Sequence, residues 1–219
     1  MADEDLDTKE RLLQAAEELF ARDGIHRVPL REINALAGQR NPSALHYHFG
    51  SREALVLAIL QRHQTSIEEA MAAGIDELER TGEVTIREIV ATTIRPLVEK
   101  LDTPSGRSFL RLLPQLTPEL GRNLRHGISQ PSPPQSVRAL ELLKKQMTHV
   151  PVKVQRERQV AYVLILSTLL ADRAHLVEAG EEPALDRRQF EAHLVDLVEA
   201  ALAAPSTVKP SRGRPARRP

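Results

Sequence analysis

The sequence contains no cysteine. Disulfides, thiol nucleophiles and cysteine metal sites are therefore excluded, and the composition fits a reducing compartment. Tryptophan is absent too, and two tyrosines and four phenylalanines are the only large aromatic residues. That leaves little surface for stacking on a flat cationic ligand, and favours an aliphatic, acyl-like or acidic one. There is no Gly-rich phosphate loop, no His-Glu-x-x-His pattern and no local Ser/His/acid set, so nothing in the chain reads as an enzyme. A bilayer span takes roughly 20 apolar residues. The most apolar run, Val160 to Ala171, is shorter and is broken by Tyr162, Ser167 and Thr168. It reads as a buried helix in a soluble protein without a membrane partner. The start is acidic (Asp3, Glu4, Asp5, Asp7) where a secretory signal begins basic, and the expected location is cytoplasmic.

What is present is ordinary in bulk and uneven in distribution. With 219 residues, 41% apolar and 27% charged, the chain has enough apolar surface to bury a real core. Lys and Arg balance Asp and Glu at 30 each, but position matters more than the sum. From Gly24 to Arg52 the cations are Arg27, Arg31, Arg40 and Arg52 against Glu32 alone, with His26, His46 and His48 among them. From Pro205 to Pro219 there are Lys209, Arg212, Arg214, Arg217 and Arg218 and no acid. These are two local basic zones.

The periodicity is helical nearly throughout, with no sustained alternation and no hairpin turn, so the expected fold class is all-α. The first helix is expected from about Thr8 to Asp23, on the stripe Leu12, Leu13, Ala16, Leu19 and Phe20, with Asp7 and Glu10 as a capping box and Gly24 as its stop. Pro29 opens a second helix whose inward face is Leu30, Ile33, Leu36 and Ala37, and Gly38 ends it. Asn41 and Pro42 read as cap and first position of a short third helix through His48. A long helix follows from Gly50-Ser51 to about Arg80. Others are expected at 85–100, with a kink or break at Pro96, and at 104–113, 117–126, 135–148, 153–179 and 186–203. Residues 129–134 read as a surface loop and 205–219 as a disordered basic tail.

Residues 30–49 carry the functional argument. A helix, a Gly turn and a second helix about four residues later describe a helix-turn-helix, whose second helix enters the major groove. Spacing alone also fits any αα-corner. Small or polar residues near the start of that helix (Asn41, Pro42, Ser43, Ala44) followed by His46, Tyr47 and His48 are the mixture a groove-facing helix needs, with Leu45 and Phe49 as anchors. His46 and His48 lie about 200° apart around a helix axis, and no further ligand stands four residues on, so no metal is expected.

Arg11-Leu-Leu-Gln-Ala-Ala-Glu-Glu-Leu-Phe20, Asp23-Gly24, Leu30-Arg-Glu-Ile33, Ala37-Gly38, Ala44-Leu-His-Tyr-His-Phe49 and Ser51-Arg-Glu-Ala-Leu55 follow one another nearly without gaps. In this the chain resembles the TetR family over roughly its first 60 residues. The resemblance implies a three-helix DNA-binding domain at 1–51 and a larger helical effector-binding and dimerisation domain at 52–204, ahead of the tail. It implies a repressor that binds a palindromic operator in double-stranded DNA as a homodimer and responds to an unidentified small-molecule effector, with no cofactor. The expected DNA-facing residues are Arg31, Gln39, Arg40, Asn41, Ser43, Ala44, His46, Tyr47, His48 and Arg52. Tyr47 and His48 are implied to meet phosphate, and Arg52 takes the place of the family's usual phosphate-facing Lys. Two departures stand out. Asn34 occupies a position where the family has a small residue, and the segment between Gly38 and Leu45 is one residue longer.

The helices at 153–179 and 186–203 would form the dimer's four-helix interface, through Val160, Val163, Leu164, Leu170, Leu194, Leu197, Val198 and Ala201. For the effector pocket the candidates are Thr92, Arg107, Phe109, Arg111, Leu113 and Tyr162. Arg107 and Arg111 share a helical face that suits an anionic effector or is simply solvated. His63 and the other isolated histidines read as surface or core-edge residues. In the tail, Ser211-Arg-Gly-Arg-Pro215 resembles a minor-groove hook, against a general basic tail. The competing reading of the whole chain is a helical protein-interaction adaptor without DNA binding, which leaves the Asn-Pro-opened helix and its basic rim without a purpose.

Overall fold

Glycine stops and capped starts divide the chain into helices. The computed structural model describes residues 2–41, 43–82, 84–126 and 134–208. Among them are nine α-helices and no strand: α1 (Ala2–Asp23), α2 (Leu30–Leu36), α3 (Ala44–Phe49), α4 (Arg52–Thr81), α5 (Ile86–Glu99), α6 (Pro104–His126), α7 (Pro134–Gln146), α8 (Val152–Glu178) and α9 (Arg187–Ala203). Ser51 caps α4 by accepting from the Ala54 N–H at 3.1 Å. Thr85 with Glu88, and Asp186 with Gln189, close reciprocal capping boxes on α5 and α9. The tail's Arg-Gly-Arg-Pro, and the 129–134 loop apart from Pro134, lie outside the described residues.

Three local expectations change. Helix α1 begins at Ala2, so Asp7 lies inside it and pairs with Arg11 at 3.3 Å instead of capping. Helix α5 runs unbroken through a buried Pro96 and gives way to a 3₁₀ turn, Lys100–Asp102, only four residues later. The two helices expected at 104–113 and 117–126 are one, α6, with Pro114 and Pro118 inside it. Each proline removes one ladder donor. Packing compensates, because α6 is apolar on two sides. Phe109 and Leu110 enter one core, while Leu112 enters another.

Those two cores organise the molecule. The first joins Leu12, Leu13, Ala16, Leu19 and Phe20 of α1 to Ile33, Ala44 and Leu45, and takes Leu55, Val56 and Ile59 from α4 and Leu112 from α6. The second gathers the rest of α4 (Ile67, Met71, Ile75) with α5 to α9. Helices α4 and α6 thus belong to both. A boundary at residue 51/52 would sever Leu55, Val56 and Ile59 from the core they complete.

Candidate nucleic-acid interface

The turn between α2 and α3 is closed by backbone hydrogen bonds. The Gly38 N–H donates to Ala35 O at 3.1 Å and the Gln39 N–H to Asn34 O at 2.8 Å, with Gly38 at φ +68° in the left-handed region. A β-carbon is costly there. The start of α3 differs from the Asn-Pro cap read in the sequence. Asn41 Oδ1 accepts the Ser43 N–H at 2.9 Å, forming an Asx turn, and helical residues begin at Ala44. Pro42, read as the first helical position, lies outside the described residues.

Leu45 is 1% exposed and anchors α3 on the first core. The opposite face projects into solvent. Tyr47 is 78% exposed, and its ring meets His48 edge-on at 5.0 Å. Arg31, Arg40, Asn41, Ser43 and His46 are exposed, whereas Gln39 and His48 are half-buried. Eight of the ten expected DNA-facing residues are thus exposed or half-buried, on α2, on α3 and in the turn between them.

Two differ. Ala44 is 7% exposed and packs into the first core, because position 44 lies one residue before Leu45 on the helix's inward side. Arg52 is turned back on the protein: its Nη1 donates to Ile25 O at 2.5 Å and its guanidinium lies 5.6 Å over the Phe20 ring.

The six candidate pocket residues are divided: Phe109, Leu113 and Tyr162 share the second core, while Thr92, Arg107 and Arg111 have other partners. Thr92 donates to Glu88 O at 2.9 Å within its own helix. Arg107 is held by Glu178 at 2.6 Å and by Leu101 O at 3.0 Å. Phe109 is buried and stacks on His63 at 4.4 Å. Leu113 packs at the edge of the second core. Arg111 borders a cleft of about 270 Å³ between α1 and α6, together with Glu18, Arg22 and Ser108. Tyr162 lies inside the second core, its hydroxyl 2.5 Å from Thr93 Oγ1. Burial pushes its phenol up to about 12, so it keeps its proton at neutral pH.

Sequence reasoning missed the polar junction between the two cores. Glu17 of α1 is 1% exposed. Its carboxylate lies 2.6 Å from His63 Nε2 and accepts from Ser105 Oγ at 3.1 and 3.2 Å, with Arg62 at 3.6 Å. His63, read as a surface or core-edge residue, is buried there because it faces that carboxylate. The available signal was an acid set between Leu13 and Phe20 on the apolar stripe of α1.

The α8–α9 face is divided as well. Val160, Leu170, Leu194 and Val198 are buried within the protomer, so half of the eight expected interface residues are core. Leu164 and Leu197 are 45% and 40% exposed. Helix α8 carries an 18-residue window of mean hydropathy 1.5 of which only 33% is buried, and is by length and composition apolar enough to cross a membrane. The run expected to be buried, Val160 to Ala171, is buried or half-buried except at Leu164 and Thr168. Among the described residues no group of three or more His, Asp or Glu is placed to hold a metal ion.

The family model for bacterial regulatory proteins of the tetR family matches residues 12–59, which span α1 to the first turns of α4. Among solved structures, SmeT, the repressor of the Stenotrophomonas maltophilia multidrug efflux pump SmeDEF, is 19% identical with a TM-score of 0.55, the match covering 93% of this chain and 98% of that one. A bacterial regulatory protein in the tetR family from Rhodococcus RHA1 is 20% identical with a TM-score of 0.53, over 91% and 98%. Likeness at that identity establishes the fold over nearly the whole chain.

Proposed function

We propose that this chain is a transcriptional regulator of the tetR family, a reading supported by the family match over residues 12–59, and that it is a cytoplasmic, non-enzymatic repressor that binds a palindromic operator as a homodimer and is released by a small-molecule effector. One observation carries the DNA-binding half: a six-residue helix anchored by Leu45 that turns Tyr47, His46 and the exposed Ser43 and Arg40 outward on a face with little acid. In this reading Gln39, Arg40, Asn41 and Ser43 meet bases and Tyr47 meets phosphate. The adaptor reading finds no comparable support.

The reading is tested by selecting bound fragments from random duplexes with the purified protein. Recovery of an inverted repeat, with half-sites about one helical turn apart or a multiple of that, is the expected result. No enrichment would end it. On the selected operator, Tyr47→Ala is expected to weaken binding to all duplexes alike, lowering the salt slope by about one unit if one phosphate contact is lost. Arg40→Ala is expected instead to relax preference at one base pair, at about 1–3 kcal/mol for a bidentate contact. A uniform loss at Arg40 would make it a positioning contact.

The effector half rests on the interior of the second core. Thr93 with Tyr162, and Thr117 with Ser167 at 3.1 Å, set two hydroxyl pairs among apolar side chains between α5, α6 and α8. A mainly apolar ligand with one or two polar groups is the class such an interior accepts. Tenfold release from DNA requires that ligand to prefer the non-binding state by about 1.4 kcal/mol.

A further inference from the structure

The turn that ends α1 carries one buried residue, Ile25, with no secondary-structure ladder to satisfy its backbone. Ile25 is 5% exposed, and Gly24 before it sits at φ +97°. Both polar groups of Ile25 are met by side chains from other helices. Its N–H donates to Gln115 Oε1 of α6 at 2.8 Å, and its C=O accepts from Arg52 Nη1 of α4 at 2.5 Å. Gln115 takes a second hold through Nε2, which donates to Phe20 O at 3.2 Å. That carbonyl already accepts the Gly24 N–H at 3.0 Å. One residue is thus gripped from two helices that both continue into the second core.

We infer that Gln115 and Arg52 are positioning residues: they clamp the turn at Ile25 and so fix the angle at which α2 and α3 are presented. Four residues separate Ile25 from the start of α2, leaving little slack between clamp and reading helix. A shift of α6 against α4 changes the clamp before it changes anything at the DNA. The clamp also gives Arg52 a use other than phosphate contact. It rests on the reading of α3 as the DNA-facing helix.

A purely structural role would also satisfy a buried amide, so the test must separate the two. Gln115→Ala alters no charge and leaves every DNA-facing side chain in place. It is studied in the full-length protein by amide exchange, by thermal melting, and by affinity for two duplexes: the operator selected by the wild type and a random sequence of the same length. The Ile25 amide is expected to exchange at least tenfold faster. Operator affinity is expected to fall about tenfold, the scale of one well-placed hydrogen bond, while random-duplex affinity stays within about twofold. Arg52→Ala is expected to lower the operator-to-random ratio in the same way, and Arg52→Lys, which can still donate to Ile25 O, to restore most of it. An unchanged ratio in Gln115→Ala, or equal losses on both duplexes in step with melting temperature, overturns the inference. If the wild type itself prefers no duplex from the random pool, the DNA-binding reading falls, and the clamp's role with it. An operator preference that ignores Gln115 and Arg52 sinks the clamp alone.

Discussion

Leu197→Arg is expected to convert the protein to monomers and to lower operator affinity by two to four orders of magnitude, the range by which two linked half-site contacts exceed one. Leu197 is 40% exposed on α9, and Leu164, 45% exposed on α8, is its counterpart. Leu164 belongs to a window of α8 with mean hydropathy 1.5, two-thirds of which the single protomer leaves incompletely buried. An isologous pair of α8–α9 faces would cover that surface, and a guanidinium in its centre would be buried without a partner. Sedimentation velocity reads the assembly state directly. Leu194→Ala is the necessary control: Leu194 is 0% exposed, so its loss costs about 2–5 kcal/mol of stability but is expected to leave the dimer intact. A dimer that survives Leu197→Arg and Leu164→Arg together would place the interface elsewhere.

Glu17→Ala is expected to destabilise the fold by about 2–4 kcal/mol, because it strips the shared acceptor from His63 and Ser105 where His63 is buried. For a chain of this size that is a fall of roughly 5–15 °C in melting temperature. Glu17→Gln keeps the shape and one acceptor oxygen and is expected to lose less. The measurement is a thermal melt followed by circular dichroism, with operator affinity recorded below the transition. If Glu17→Ala melts within about 1 °C of the wild type, the junction contributes nothing net, and the desolvation of the carboxylate has cancelled its hydrogen bonds.

How far the sequence could be read follows from which interactions are local. Helix existence was legible because the apolar positions recur at 3.6-residue spacing, and α9's start at Arg187 falls within one residue of the expected 186. The α2–α3 surface was legible because Gly38 and the short spacing to Leu45 fix it within twenty residues. The continuity of α6 was not: prolines at 114 and 118 argue locally for a break, and only packing against two cores at once overrules them. Ala44 was misassigned because one residue of register separates the groove-facing side from the core side. Arg52 and Gln115 were invisible as a pair, since they meet across Ile25 from positions 27 and 90 residues away. The two arginines proposed for the pocket were separated for a similar reason. Arg107 and Arg111 share a helical face, but Glu178 claims the first while the second faces α1.

The sharing of α4 and α6 between two cores also bears on how the molecule can be recombined. A chimera that joins residues 1–51 to a foreign effector domain would leave Leu12, Leu45 and Phe20 facing a gap where Leu55, Val56, Ile59 and Leu112 had been. Extending the transplant along α4 past Ile59 repairs most of it, but Leu112 arrives only from α6. The recipient must therefore bring its own residue to that spot, with a side chain able to take the Ile25 N–H three positions further on. Specificity in such a protein is exchanged more safely by rewriting the exposed residues 40, 43 and 46 in place than by cutting the chain.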